Sequence, residues 1–206
     1  MVIADDHGLT LSALADSLQV HGLAVVGRAA GAAEAITEVT AHEPDALVID
    51  LDLGPGPSGL HVAVNLRRRF PALGVVVLSG YADPRLFAAT LPEPPRGTVY
   101  LVKQHLSEVG VVVGAVHDAI ARARTGERAS IPRIDLTRAQ VQMLSLVAAG
   151  HTNAAIAEML HITEPSVAKS INRIARRLGV PSDAGTNTRA ALTSHYFQLV
   201  VNSRRP

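Results

Sequence analysis

Ala46-Leu47-Val48-Ile49-Asp50 is an apolar run closed by an acid. It is too short for a helix, carries no polar alternation and is β-branched at two positions, so it reads as a strand covered on both faces. Working outward, a helical stripe spans Ala32 to Ala41 before it. The turn-rich Gly54-Pro55-Gly56-Pro57-Ser58-Gly59 follows it, then a helix from Leu60 to Phe70 closed by Pro71. The same alternation recurs along the front of the chain. Val2-Ile3-Ala4 is a strand ending in Asp5-Asp6, and Thr10 to Val20 is a helix with Leu11, Leu14, Ala15 and Leu18 on one face. Leu23 to Val26 reads as a second strand, Gly74 to Leu78 as a fourth and Thr98 to Val102 as a fifth, with a last helix from about Ser107 to Arg124. Five βα units call for a doubly wound parallel sheet with right-handed crossovers and helices on both faces.

After Arg124 the pattern changes. Thr125 to Asp135 has no period and reads as a linker, and beyond it the chain is all-helical. Thr137-x-x-Gln140 is a capping box opening a helix that stops at Gly150. A short helix covers Asn153 to Leu160, the turn His161-Ile162-Thr163 follows, and a third helix runs from Glu164 to Leu178, halted by Gly179 and Pro181. A fourth spans about Thr188 to Val201. Charge divides at the same place: Met1 to Ser130 holds 10 Lys and Arg against 14 Asp and Glu, whereas Ile131 to Pro206 holds 9 against 4. An acidic front and a basic back imply two domains with different partners, a polyanion for the back one.

Composition narrows the chemistry. The hydrophobic fraction of 48% over 206 residues supplies ample core. Cys is 0, which removes disulfides, thiolate metal sites and cysteine nucleophiles. No apolar run approaches the ~20 residues of a membrane helix, and MVIADDHG carries acids where a signal peptide has Lys or Arg. The expectation is a cytoplasmic protein without a membrane partner. Of the 19 basic residues only Lys103 and Lys169 are lysine.

In a parallel sheet the C-terminal strand ends share one rim, where ligands bind. Here strand one ends in Asp5 and Asp6, strand three in Asp50, strand four in Ser79 and strand five in Lys103. If strands one and three are neighbours, three carboxylates converge, and unit charges 4 Å apart repel by about 4 kcal/mol at an effective dielectric of ~20. Such a cluster needs protons or a cation, and hard carboxylate oxygens with open water positions suit Mg²⁺. Ser79 offers a hydroxyl and Lys103 a compact point charge, both suited to a phosphoryl group. Any one of these residues alone would be a turn residue, a cap or a solvated side chain; their order on successive strand ends carries the weight.

These residues, as Ile3-Ala4-Asp5-Asp6-His7, Pro44 to Asp50, Val76-Val77-Leu78-Ser79 and Tyr100-Leu101-Val102-Lys103, resemble the receiver domain of two-component response regulators over nearly all of residues 1–124. The resemblance implies a flavodoxin-like five-stranded sheet in order 2-1-3-4-5. It makes Asp50 the phosphoacceptor and gives Mg²⁺ to Asp5, Asp6, Asp50 and the backbone carbonyl of Asp52. Ser79 and Lys103 would bind phosphoryl oxygens, and Tyr100 would be the aromatic that repacks on phosphorylation. The chain departs from the family pattern in three places. Gln104 follows Lys103 where Pro is usual, and the loop after Asp50 is longer and Gly/Pro-rich. The prolines of Leu91-Pro92-Glu93-Pro94-Pro95 confine the fourth helix to about Pro84 to Thr90. Ile49-Asp50-Leu51-Asp52 also fits the Asp-x-Asp of haloacid-dehalogenase-type phosphatases, but these usually carry it near the chain start with Thr or Val where Gly54 stands, whereas Asp50 lies on the third strand behind an acidic pair on the first.

The helix, three-residue turn and helix from Thr152 to Leu178 form a helix-turn-helix. Val167, Ile171, Ile174 and Leu178 make a buried stripe on its second helix. Ser166, Lys169, Ser170, Asn172, Arg173, Arg176 and Arg177 supply a polar, basic surface suited to the major groove and to phosphates. The stretch resembles the LuxR/NarL-type four-helix DNA-binding domain over about residues 135–200, through Leu144 to Gly150, Asn153 to Ala157, Ile162 to Val167 and Leu178-Gly179-Val180. Ala139-Gln140-Val141-Gln142 replaces the family's acids, and Ser166-Val167-Ala168 stands for its Thr-Val-Lys, with Lys169 one place later. The resemblance implies that Glu164 to Arg177 reads DNA and that the last helix mediates dimerisation. The combined expectation is a receiver at 1–124, a linker at 125–135 and a small all-α helix-turn-helix domain at 136–206. This is a regulator rather than an enzyme, phosphorylated by a histidine kinase and acting on double-stranded DNA as a homodimer. The competing expectation is a DNA-binding regulator whose receiver works without phosphate.

Overall fold

The computed structural model describes residues 1–88, 90–105, 108–181 and 187–200. Strands β1 (Val2–Ala4), β2 (Gly27–Ala29), β3 (Ala46–Asp50), β4 (Gly74–Ser79) and β5 (Val99–Val102) form one parallel sheet in the order β2-β1-β3-β4-β5. Helices α1 (Gly8–Val20), α2 (Ala32–His42) and α3 (Gly59–Arg69) join the first four, and α4 (Val109–Thr125) follows β5. The central strands β3 and β4 are buried along their whole length, as their unbroken apolar runs require. Ile3, Val48, Val76 and Leu78 pack with Leu18 and Ala119 from the flanking helices into the core.

The second strand lies further along the chain than the apolar run Leu23 to Val26. That run only approaches the sheet, with the N–H of Val26 donating to the carbonyl of Met1 at 2.9 Å. The ladder with β1 begins at Gly27, which pairs with Val2. β2 is an edge strand of three residues, with Arg28 outward between buried Gly27 and Ala29, so it carries almost no apolar signature. The helix expected over Pro84 to Thr90 is also absent among its described residues: a single 3₁₀ turn, Pro84–Leu86, stands there. Proline at its first position suits a helix start, but the prolines that follow supply no N–H groups to extend one. Ser107 as a helix start, most of the Pro181 to Asn187 connection and residues 201–206 lie outside the described residues.

Helices α5 (Arg138–Ala148), α6 (Asn153–Leu160), α7 (Glu164–Arg177) and α8 (Thr188–Val200) make up the back of the chain. The Thr137 capping box is present: the N–H of Gln140 donates to Thr137 Oγ1 at 3.3 Å and that of Thr137 to Gln140 Oε1 at 2.9 Å. Leu144, Ile156, Val167, Ile171, Ile174 and Leu192 fill a separate core. By its packing the chain divides into two compact units. Met1–Gly80 with Leu91–Pro132 is one, and Tyr81–Thr90 with the chain from Arg133 onward is the other.

Gly59 opens α3 directly against the end of β3. A Cβ there would lie 2.0 Å from the backbone oxygen of Asp50, a contact that backbone cannot relieve without moving. Gly59→Ala is therefore expected to destabilise the sheet unit by about 1–3 kcal/mol, read as a lower denaturant midpoint; an unchanged midpoint would show that the loop gives way freely.

Candidate functional site

Register assembles the site. Ala4 pairs with Ile49, so Asp5 and Asp50 leave β1 and β3 side by side. Asp50 pairs with Leu78 and Ser79 with Val102, which brings Ser79 and Lys103 to the same rim. Lys103 Nζ donates to Asp5 Oδ2 at 2.9 Å and to Asp50 Oδ2 at 2.7 Å, so one ammonium joins the two strand-end carboxylates. Asp5 and Asp50 are 1% and 5% exposed, and Ser79 is wholly buried. Tyr100 is buried on β5, where it pairs with Val77. Asp52 lies on the loop after β3, with its N–H directed to Asp50 Oδ1 at 3.4 Å.

Asp6 is arranged differently from its neighbour. Its Oδ1 lies 2.8 Å from Nδ1 of His7, whose backbone N–H donates to Asp5 Oδ1 at 2.9 Å. Asp5, Asp6 and His7 bring one potential metal-ligating atom each to within 4.8 Å of one another. The structure thus groups Asp5 with Asp50 through Lys103, and Asp6 with His7. The sequence reading passed over His7, although an imidazole directly after an acidic pair was the signal. Most donors here are hard carboxylate oxygens, a set that fits a hard divalent cation, with Asp5 shared between the two groups.

Burial pushes the Asp50 carboxyl up, and the charge of Asp5 adds to the rise. The Lys103 charge and hydrogen bond, with the Asp52 N–H, pull it back, leaving it at about 6. Burial alone would lower the Lys103 ammonium, but the charge of Asp50 and the hydrogen bonds to Asp50 and Asp5 carry it above lysine's ordinary value. One cation thus faces two carboxyl groups and cannot offset both.

In the helical unit, α6 and α7 flank the turn His161-Ile162-Thr163, where His161 adopts the left-handed conformation at φ 53° and reverses the chain. Val167, Ile171, Ile174 and Ala175 of α7 face the core. At 3.6 residues per turn, Lys169, Asn172, Arg173 and Arg176 fall on one stripe diametrically opposite, and all four are exposed. Ser166, Ser170 and Arg177 lie on the flank of that stripe. Ser166 Oγ is 2.9 Å from Thr163 Oγ1, Ser170 is half-buried, and Arg177 donates to Gln140 Oε1 at 3.2 Å.

Between the ordinary 3.8 and about 6 the folded protein binds more protons at Asp50 than the unfolded chain, so this group's contribution to stability falls as pH rises through that window and is constant above it. In metal-free protein the Asp50 carboxyl carbon is expected to titrate near pH 6 by NMR, and higher in Lys103→Met. A midpoint near 3.8 in both would show that neither burial nor the lysine governs it.

Comparison with known proteins agrees with both halves. The response regulator receiver domain matches residues 1–104, and the luxR family of bacterial regulatory proteins matches residues 135–188. The oxygen regulatory protein NreC of Staphylococcus epidermidis is 26% identical over 201 residues, covering 88% of this chain and 92% of that protein. NreC of Staphylococcus carnosus is 28% identical over 203 residues with the same coverage. A solved complex of the two-component response regulator RcsB with DNA aligns over 98% of both chains at a TM-score of 0.56 and 22% identity, a likeness of fold. No helix among the described residues is long and apolar enough to cross a membrane. The receiver match alone spans half of the sequence and the luxR match takes in the helix-turn-helix, so the chain belongs to the response regulators that join a receiver to a LuxR-type DNA-binding domain and regulate transcription.

Proposed function

We propose that Asp50 is the phosphoacceptor of this response regulator and that its phosphorylation governs how α7 engages promoter DNA. The observation that carries this reading is the Asp5–Lys103–Asp50 cluster, a buried carboxylate held at a sheet rim beside a lysine and a buried serine. The donor is a histidine kinase: an Asp50 oxygen attacks the phosphorus of a phosphohistidine, the P–N bond breaks, and the imidazole leaves as the acyl phosphate forms. Asp5, Asp6, Asp50 and the backbone carbonyl of Asp52 would hold Mg²⁺, which supplies charge neutralisation for the transferring group. Lys103, released from Asp5, turns to a phosphoryl oxygen, and the Ser79 hydroxyl donates to another. Tyr100, behind Ser79 on the neighbouring strand, repacks when Ser79 moves.

In the helical unit, Lys169, Asn172, Arg173 and Arg176 lead into the major groove and onto phosphates, with Ser166, Ser170 and Arg177 at the margin. A homodimer on DNA, paired through α8, fits the twofold logic of half-sites one helical turn apart. RcsB, similar in fold, has been solved as two dimers bound to two parallel DNAs. The cytoplasm is the compartment where kinase, magnesium and promoter meet.

Beryllium fluoride with Mg²⁺ is expected to shift receiver amide resonances at Ser79 and Lys103 and to change DNA affinity, and Asp50→Ala to abolish both effects. Regulation that survives Asp50→Ala would replace this reading with a receiver that works without phosphate. Arg173→Ala and Arg176→Ala are each expected to weaken binding and to flatten the salt dependence by about 0.9 of a log–log unit per lost phosphate contact. An unchanged slope would mean that neither arginine touches the backbone.

A further inference from the structure

The segment Tyr81–Thr90 leaves the sheet immediately after Ser79 and Gly80, yet it belongs to the helical unit. Leu86, 4% exposed, is a member of that unit's core beside Leu136, Val141 and Leu144, and Tyr81 packs against the same core. Tyr81 and Phe87 meet edge to face at 5.4 Å.

An ion pair with a fully buried carboxylate ties the segment down. Asp83 is 0% exposed and accepts from its neighbour Arg85 through the backbone N–H at 2.9 Å, through Nε at 3.0 and 3.1 Å, and through a terminal nitrogen at 2.6 Å. Asp83 also accepts the N–H of Ile134 at 2.9 Å. Arg85 in turn donates to the carbonyls of Leu136 at 2.7 Å and Ile134 at 3.0 Å, just ahead of the Thr137 cap of α5. The N–H of Ala82 donates to the carbonyl of Leu199 in α8 at 3.0 Å. One carboxylate–guanidinium pair therefore joins the chain at 82–86 to the entry of α5, and a neighbouring backbone bond joins it to the end of α8.

Such a pair is expensive to bury, and well-packed apolar residues would hold the same place as firmly. Its distinctive property is direction: seven charge-assisted or backbone hydrogen bonds fix one geometry of the segment and no other. Only Gly80 separates Ser79 from Tyr81, a span of at most about 7 Å, so a displacement of Ser79 has little slack in which to be lost.

We propose that Tyr81–Thr90 is a coupling latch, with Asp83–Arg85 as its catch, through which a change at Ser79 alters the helical unit. The inference rests on the reading of Asp50 as phosphoacceptor, and the test separates the two. In the full-length protein, beryllium fluoride with Mg²⁺ is expected to change DNA affinity tenfold or more and to change hydrogen-exchange protection of the Ile134 and Leu86 amides by a similar factor. In Arg85→Ala and Asp83→Asn the receiver resonances at Ser79 still shift, but DNA affinity with and without beryllium fluoride agrees within twofold. Arg85→Lys, which keeps the charge and loses the fork, falls between. A variant that responds in full overturns the latch while leaving the phosphoacceptor reading intact. Loss of the Ser79 shift in the wild type overturns that reading itself. Should the variants fail to fold, the wild-type exchange measurement decides: Ile134 and Leu86 amides indifferent to beryllium fluoride, in a receiver that responds, rule the latch out.

Discussion

The ammonium of Lys103 lying between the carboxylates of Asp5 and Asp50 sets the terms for everything at the sheet rim. Two carboxylates this close would repel by several kcal/mol in a partly buried setting, and the sheet cannot move them apart. Their backbones are fixed by the register of β1 against β3, which the apolar strands hold from both faces. Lys103 cancels one charge of the two; burial raises the Asp50 carboxyl, and the charge of Asp5 adds to the rise. The pocket is thus short of positive charge before any ligand arrives. On the proposed function, a second cation would offset the deficit, and a phosphoryl group, bringing about −1.5 to −2 of its own charge, would need both that cation and the lysine. The same shortage explains why a lysine is used in a chain whose basic residues are otherwise nearly all arginine: a point charge on a flexible stem can exchange one oxygen for another, whereas a planar fork is committed to its partners.

The helical unit separates its two tasks by face. Along α7 the aliphatic residues point inward and the stripe Lys169, Asn172, Arg173, Arg176 points outward, so changes on the outer stripe need not disturb the core. Glu164 in its first turn and Arg176 and Arg177 in its last complement the helix dipole. The cations that would contact phosphates therefore also favour the helix in the absence of DNA.

What could be read from the sequence followed from how much each element depends on its own residues. β3 and β4 are buried on both faces and must be apolar throughout, so their runs and the acid or hydroxyl at their ends were legible. The Thr137–Gln140 box and the helix boundaries around His161 depend on local chemistry and were legible too. β2 was misplaced because an edge strand of three residues is defined by its pairing with β1, and the more apolar Leu23 to Val26 beside it drew attention away. The expected fourth helix became a single turn because its residues are spent on tertiary partners. Leu86 goes to the helical core, and Asp83 and Arg85 go to backbone groups near Ile134, a distance in sequence that no local pattern reveals. The association of His7 with Asp6 is likewise a matter of side-chain direction, although its neighbourhood was visible.

The Asp83–Arg85 pair gives the proposed latch its fixed geometry. Burial would push the Asp83 carboxyl up, but the Arg85 side chain, the backbone N–H groups of Arg85 and Ile134 and the Arg85 charge together hold it below its ordinary value. That stabilisation is fully present above the unfolded value and is lost only as pH falls through the lower folded one, so the pair stays ionised at neutral pH. A conformational signal can shift an equilibrium only by the difference in free energy between the two states it distinguishes. A contact that tolerates many geometries distinguishes little. A fork of hydrogen bonds to a buried carboxylate and two carbonyls tolerates one, so displacing its segment costs enough to matter to the helices it touches. The departure from a regular fourth helix is then part of how this chain can work: the residues that would have made that helix are built into the unit that reads DNA.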